Sequence, residues 1–406
     1  MLDFTQVTTQ IQSFASEREA ALPRLEAALR EAERRLRASG PTWEATRDKI
    51  AGSKTSWLVA SWHEASDTAY DAPIAPLPCA VYAADGSQIV SDRHDIALCY
   101  LLNIGLIALR YGTGERALLT SRPHLALPDD DLLDEFQGEQ AAIVPKRLGI
   151  RRLLEEMAGL IYLIGDVPLS ALASSDAIKS SSLALFDGSL ILWPLETEKE
   201  DFRAESIRIF EAHLGQARER RVPLVGYISD PQSRDVVNAL RVFHCPHERA
   251  NCDMHCPQRS KPRPTYIAPD CAGTEAIHDA DLFARLLQPG ERSPIYGSSS
   301  QILKEYRDEN RIHFFYLHTG REVARIEMPA WVCRDPELLA LTHALCYDQA
   351  CKGDGYPVAL AEAHEQAVVR AAEKSAFFAM MQRAFVTSGQ PISITQKAVS
   401  KRARRV

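Results

Sequence analysis

No apolar run in this 406-residue chain reaches the ~20 residues that a membrane-spanning helix requires. The longest, Leu98 to Leu109, is interrupted by Asn103 and Gly105. The start, MLDFTQVTTQ, has no basic segment followed by an apolar one, so no secretory leader is expected. Glycine and proline are modest, 20 and 23 residues, which excludes collagen-like and wholly disordered chains. There is no excess of positive charge: the net charge of −7 excludes a globally basic nucleic-acid coat protein but allows a local basic channel. No G-x-x-x-x-G-K-[ST] cradles a triphosphate, so any ATP-driven motor is expected on a partner. No C-x2-C pair occurs, and nine cysteines cannot all pair. Free thiols or a metal site in a reducing compartment are expected, rather than a disulfide framework. These absences point to a soluble cytoplasmic globular protein.

The pattern that is present reads as α/β. Residues 5–39 carry Leu22, Leu25, Leu29, Ala32 and Leu36 at three- and four-residue steps, which predicts a helix ended by Gly40-Pro41. Its narrow stripe suits a helical hairpin, a dimer contact or packing on its own domain. Short strands are predicted at Cys79–Ala83, Tyr100–Arg110, Arg116–Ser121, Leu183–Phe186 and Val222–Ile228, and a hairpin from Phe314–Leu317 with Val323–Glu327. Helices are predicted near 148–163, 200–219 (charged and surface-facing), 232–243, 279–288, 335–348 and 359–385. A short strand near 391–396 and a basic tail with Lys397, Lys401, Arg402, Arg404 and Arg405 end the chain. That tail is either a solvated end or a phosphate contact.

Three strands as a meander, then helix, strand, helix, strand, is the order of the ribonuclease H-like fold. The expected architecture is a mixed sheet flanked by helices, with an N-terminal helical extension. Residues 1–75 form the helical region, 76–385 the main domain with a Cys/His-rich insert at 244–276, and 386–406 the strand and tail. In this fold the fourth strand lies beside the first.

Both of those strands end in Asp-Gly-Ser, at Asp85 and at Asp187. Asp-Gly alone is a common turn dipeptide. Two copies, each closing a buried-type strand, predict two carboxylates that meet and need a cation between them. Hard oxygen ligands around Mg²⁺ or Mn²⁺ are what phosphodiester hydrolysis requires. A third carboxylate is expected from the 148–163 helix. Glu156 falls at the border of its apolar face, whereas Glu155 points to water. His364 lies close to the mean direction of Leu360, Ala367, Val368 and Ala371, so it is expected to face inward. It would serve as a ligand favouring Mn²⁺ or as a proton-transfer group. Tyr356, eight residues earlier, would bond the scissile phosphate.

These stretches resemble the NurA family of DNA-end-processing nucleases. The resemblance is carried by Tyr82 to Ile89, Asn103-Ile104-Gly105, Leu185 to Leu190, Gly226 to Ser229 with Ser233 to Val236, and Leu286 to Ser293. Arg321 to Glu327, Gly355-Tyr356-Pro357 and Ala361 to His364 complete it, spanning about 79–370. It implies a Mn²⁺-dependent 5′→3′ exonuclease on single- and double-stranded DNA that also cuts single strands internally. It implies metal ligation by Asp85, Glu156, Asp187 and His364, with Tyr356 in the catalytic set. It further implies a homodimer docked on a hexameric HerA-type ATPase, serving end resection in double-strand break repair. The competing expectation is a catalytically silent ribonuclease H-like subunit that loads DNA into the translocase.

Two features lie outside that pattern. Residues 244–271 hold His244, Cys245, His247, Cys252, His255, Cys256 and Cys271. The four cysteines are expected to hold a structural Zn²⁺ or an iron–sulfur cluster, or to remain free thiols. Lys146, Arg147, Arg151 and Arg152 at one helix start, and Arg218, Arg220 and Arg221 at another's end, are candidate phosphate contacts.

Overall fold

The computed structural model describes residues 3–55, 57–91, 98–133, 143–165, 181–256 and 270–388. Helices α1 (Phe4–Ser39) and α2 (Trp43–Ala51) precede strands β1 (Ser61–Trp62), β2 (Cys79–Val90), β3 (Tyr100–Tyr111) and β4 (Leu118–Ala126). Then come α3 (Pro145–Gly165), β5 (Ser182–Asp187), α4 (Glu200–Glu219), β6 (Leu224–Ile228), α5 (Asp235–His244), the single turn α6 (Cys252–His255) and α7 (Asp279–Leu286). Strands β7 (Tyr296–Gly297), β8 (Ile312–His318) and β9 (Val323–Pro329) follow. The described chain closes with α8 (Ala330–Cys333), α9 (Pro336–Lys352), α10 (Val358–Ala367) and α11 (Ala371–Thr387).

Among the described residues these strands form one sheet in the order β1-β7-β8-β9-β6-β5-β2-β3-β4. Strands β2, β3 and β4 make an antiparallel meander, and β5 runs parallel to both β2 and β6. This is the ribonuclease H-like arrangement, extended on one side by β9, β8, β7 and β1. The edge strand β1 comes from the region expected to be purely helical.

Side chains alternate across the strands. Tyr82, Ala84, Ala184 and Phe186 pack under α3 and α4. Val81, Ala83, Leu183 and Leu185 pack on the other face, under α9 and α10. β5 is apolar on both faces because helices cover both, as buried parallel strands require. Leu154, Met157 and Leu160 of α3 are buried, each stabilising by roughly 1.5–3 kcal/mol. A separate cluster joins Ala28, Ala32 and Leu36 of α1 to Val236 and Leu240 of α5 and Tyr316 of β8. The first half of α1 has no such cover: Phe4, Ile11, Phe14 and Leu22 are exposed.

Three of these expectations need correction. The first Asp-Gly-Ser is not a turn: β2 runs straight through it, pairing Asp85 with Gly105, Gly86 with Ile104 and Ser87 with Asn103. Only the second is a turn, with Gly188 at φ 125°. The 200–219 helix is not merely a surface helix. Phe202, Ile207, Phe210 and Leu214 bury one face against α3, and most of its charges occupy the other, although Glu211 is buried. The 359–385 helix is two helices, broken at Val368 (φ −53°, ψ 126°). There the last carbonyls of α10 turn to the sheet: Asn103 Nδ2 donates to Gln366 O at 3.1 Å and to Ala367 O at 2.8 Å. Ser87 Oγ also donates to Ala367 O. The expected strand near 391–396 and the basic tail lie outside the described residues.

Gly105 allows this docking. A Cβ there would lie 2.3 Å from Ala363 O and 2.7 Å from Ala367 N, both backbone atoms of α10. Gly105→Ala is expected to lift α10 from β3 and cost about 1–3 kcal/mol in urea unfolding. An unchanged midpoint would contradict this contact.

Candidate active site

Register fixes the first two carboxylates. Ala84 of β2 pairs with Phe186 of β5, so Asp85 and Asp187 follow side by side on adjacent strands, about 4.8 Å apart at the backbone. Both follow the alternation of Ala83 and Leu185, so they face the side covered by α9 and α10. His364 of α10 meets Asp85 there, with Nδ1 2.9 Å from Oδ2. The imidazole is 62% exposed, so the expectation that His364 faces inward is corrected. The helix stops at Ala367, so its buried face is set by Ala359, Leu360, Ala363 and Ala367 alone. Val368 and Ala371 do not belong to that face.

Glu156 arrives from the opposite side of the sheet. It projects from α3 and is 5% exposed, whereas Glu155 is exposed. Gly86 opens the way: a Cβ there would lie 2.4 Å from Glu156 Oε1. The first Asp-Gly-Ser glycine thus serves close approach rather than a turn. Arg152, one helical turn before Glu156, places Nε 3.1 Å from Oε1, but off-axis, and neither atom makes a hydrogen bond.

The electrostatics report this crowding. Burial pushes the Glu156 carboxyl up to about 8; Arg152 opposes, and the charges of Asp85 and Asp187 add to the rise. Asp187 is also raised, first by desolvation and then by Asp85, against a hydrogen bond from Tyr356 and the charge of His364. Tyr356 is raised by burial and by Asp187, and its ring meets Tyr227 edge-on at 5.5 Å.

The donor set suits a hard divalent cation. It offers carboxylate oxygens that repel one another, one of them a buried acceptor with no hydrogen-bond donor. As placed, each carboxylate faces its own partner instead: His364, Tyr356 or Arg152. Among the described residues, no three His, Cys, Asp or Glu side chains stand gathered at ligand distance.

The second turn is held by residues that sequence reasoning did not single out. Glu327, buried in β9, accepts from Ser189 Oγ at 2.7 Å and Leu190 N at 2.9 Å, just after Asp187. Arg325 donates to Glu327 at 2.9 Å and to Asp235 at 3.1 Å, and lies 3.6 Å over the Phe314 ring. The only available signal was alternation: two charges on an otherwise apolar strand point inward and must be paired.

The basic clusters are mostly committed within the chain. Lys146 and Arg147 pair with Glu198, Arg151 with Asp129, Arg218 with Glu309 and Arg221 with Asp335. Arg220 donates to Gln216 O. Arg152 is the member of these clusters that stands beside the carboxylates.

Glu327→Gln should leave Arg325 with one charged partner and cost about 3 kcal/mol in denaturant unfolding. A loss below about 1 kcal/mol would mean that the network does not support the turn.

Residues 79–369 match the family model described as NurA domain. No curated protein matches the chain. Among solved structures, the NurA nuclease from Sulfolobus solfataricus is 11% identical, covering 96% of this chain and 98% of that one, with a TM-score of 0.49. A NurA crystallised with manganese is 12% identical, covering 88% and 93%, with a TM-score of 0.35. LC9-RNase H1, a type 1 RNase H, is 9% identical, covering 40% and 69%, with a TM-score of 0.21.

Proposed function

The chain belongs to the NurA domain family, and we propose that it is a divalent-metal-dependent nuclease hydrolysing phosphodiester bonds in DNA. The observation that carries this reading is the convergence of Asp85, Asp187 and Glu156 from both faces of one sheet, with His364 on Asp85. In this reading Asp85, Asp187, Glu156 and His364 hold Mn²⁺, with Mg²⁺ as the alternative ion. The chemistry such an ion supplies when bound is Lewis acidity: it lowers the pKa of water and neutralises charge on the phosphate oxygens.

The chain's own groups supply the rest. Asp85 orients the His364 imidazole, whose exposed ring can carry a proton to or from the cleft. Tyr356 steadies Asp187 by a hydrogen bond, and in this reading its hydroxyl would also bond a phosphate oxygen. Arg152, 37% exposed, offers a guanidinium to the DNA backbone. The finer activity we propose is a 5′→3′ exonuclease on single- and double-stranded DNA with endonuclease action on single strands. We place it in DNA end resection, as a homodimer on a hexameric HerA-type translocase. Among the described residues no helix is long and apolar enough to cross a membrane; a cytoplasmic site of action is part of the proposal.

End-labelled duplex and single-stranded DNA should be cut with Mn²⁺, without sequence preference and less well at high salt. Asp85→Ala and Asp187→Asn should each reduce the rate by more than about 100-fold. His364→Ala should reduce it by about 100-fold or more with folding intact. Equal rates in wild type and both aspartate variants would remove the assignment.

Gly86→Ala separates site from scaffold. The new methyl meets only side-chain atoms, Glu156 Oε1 and, at 2.9 Å, Arg152 Cγ, so stability should fall by no more than about 2 kcal/mol. Displacing Glu156 should still cost about tenfold or more in Mn²⁺-dependent cleavage. Full activity in this variant would exclude Glu156 from the site.

A further inference from the structure

The cysteine-rich segment lies apart from the acidic cleft. Cys245 caps the C-terminus of α5, and Cys252 opens the turn α6. Cys256 follows four residues later, on the same side of that turn, a spacing that also serves paired metal-binding histidines on a helix. Cys271 returns from the other end of the segment. All four cysteines and His255 line one small cavity floored by Trp57. None of the four is in a disulfide.

Their backbones are pinned by elements from outside the segment. Arg35 of α1, 2% exposed, donates to Cys271 O at 2.9 Å and Ala272 O at 2.7 Å. Lys49 of α2 donates to Phe243 O at 3.1 Å and to Cys245 O. Cys252 N donates to Lys54 O at 3.0 Å, and Lys54 N to Ala250 O at 2.8 Å. Asn251 accepts from Asp253 N and Met254 N, fixing the start of α6. Arg241, Cys245 and Cys256 line the same cavity as Cys271, so three of the thiols and one guanidinium stand close together.

We propose that Cys245, Cys252, Cys256 and Cys271 bind one structural Zn²⁺ that fastens this segment to α1 and α2. Soft thiolates in a set of four are a zinc donor set, and hard cations prefer oxygen. Among the described residues the sulfurs are not yet gathered at ligand distance, so binding draws them inward by side-chain rotation. Four thiol protons pass to solvent, and the resulting negative site lies beside Arg241, which stacks 4.2 Å over Trp57.

The test is metal analysis of the full chain after dialysis. About one zinc per chain is expected, retained in Asp85→Ala with Asp187→Asn and lost in Cys252→Ser with Cys256→Ser. That contrast separates this site from the acidic one. Stripped wild-type protein titrated with Co²⁺ alone should develop thiolate charge-transfer and tetrahedral d–d bands, which reads the site even if the cysteine variant does not fold. Zinc-free protein with four reactive thiols, a mass lowered by two hydrogens per disulfide, or stoichiometric iron with sulfide would each overturn the proposal.

Discussion

Two carboxylates side by side on adjacent parallel strands, Asp85 within β2 and Asp187 at the end of β5, repel one another, and the surrounding structure holds them there. Asp85 and Asp187 cannot separate, because β2 and β5 are locked in register beneath α9 and α10. Glu156 adds a third negative group through the gap at Gly86. Burial and mutual charge raise two of the three carboxyls, Glu156 and Asp187, a strain that the proposed cation would relieve. Rigidity comes from a second set of buried charges, Arg325 and Glu327 on β9 with Asp235 at the start of α5.

Much of this was legible in the sequence because it is written in local patterns. Continuous apolar runs such as Leu183–Phe186 mark buried parallel strands, and the order of elements then sets β5 beside β2. Helical periodicity separates Glu156 from Glu155 because six apolar residues define the face of α3. The errors have equally specific causes. Asp-Gly is the strongest local turn signal, and nothing near Gly86 reveals that β3 pairs across it or that Glu156 passes it. His364 was aimed inward by averaging over Val368 and Ala371, which lie beyond a helix end. That end is fixed by Asn103 and Ser87, more than 260 positions away. Alternation marks Arg325 and Glu327 as inward charges, but not what they support, because Asp235, Ser189 and Leu190 are distant in the chain.

The N-terminal helices belong to the architecture rather than hanging from it. Arg35 reaches across to the carbonyls of Cys271 and Ala272, and α1 shares a core with α5 and β8. The segment between α5 and α7 is therefore gripped at several points by side chains that lie some two hundred residues earlier. The exposed half of α1 contrasts with this, carrying Phe4, Ile11, Phe14 and Leu22 into solvent.

The hydrogen bond between Asp85 and His364 joins residues 279 positions apart. During synthesis the aspartate emerges early, and its imidazole partner only after nearly the whole sheet has been made. Loop closure of that length is slow and is rewarded only once the intervening strands are in place. A nascent chain, or one truncated before α10, thus carries Asp85 and Asp187 without the basic group that completes them. The architecture delays assembly of the full constellation until α10 has been made.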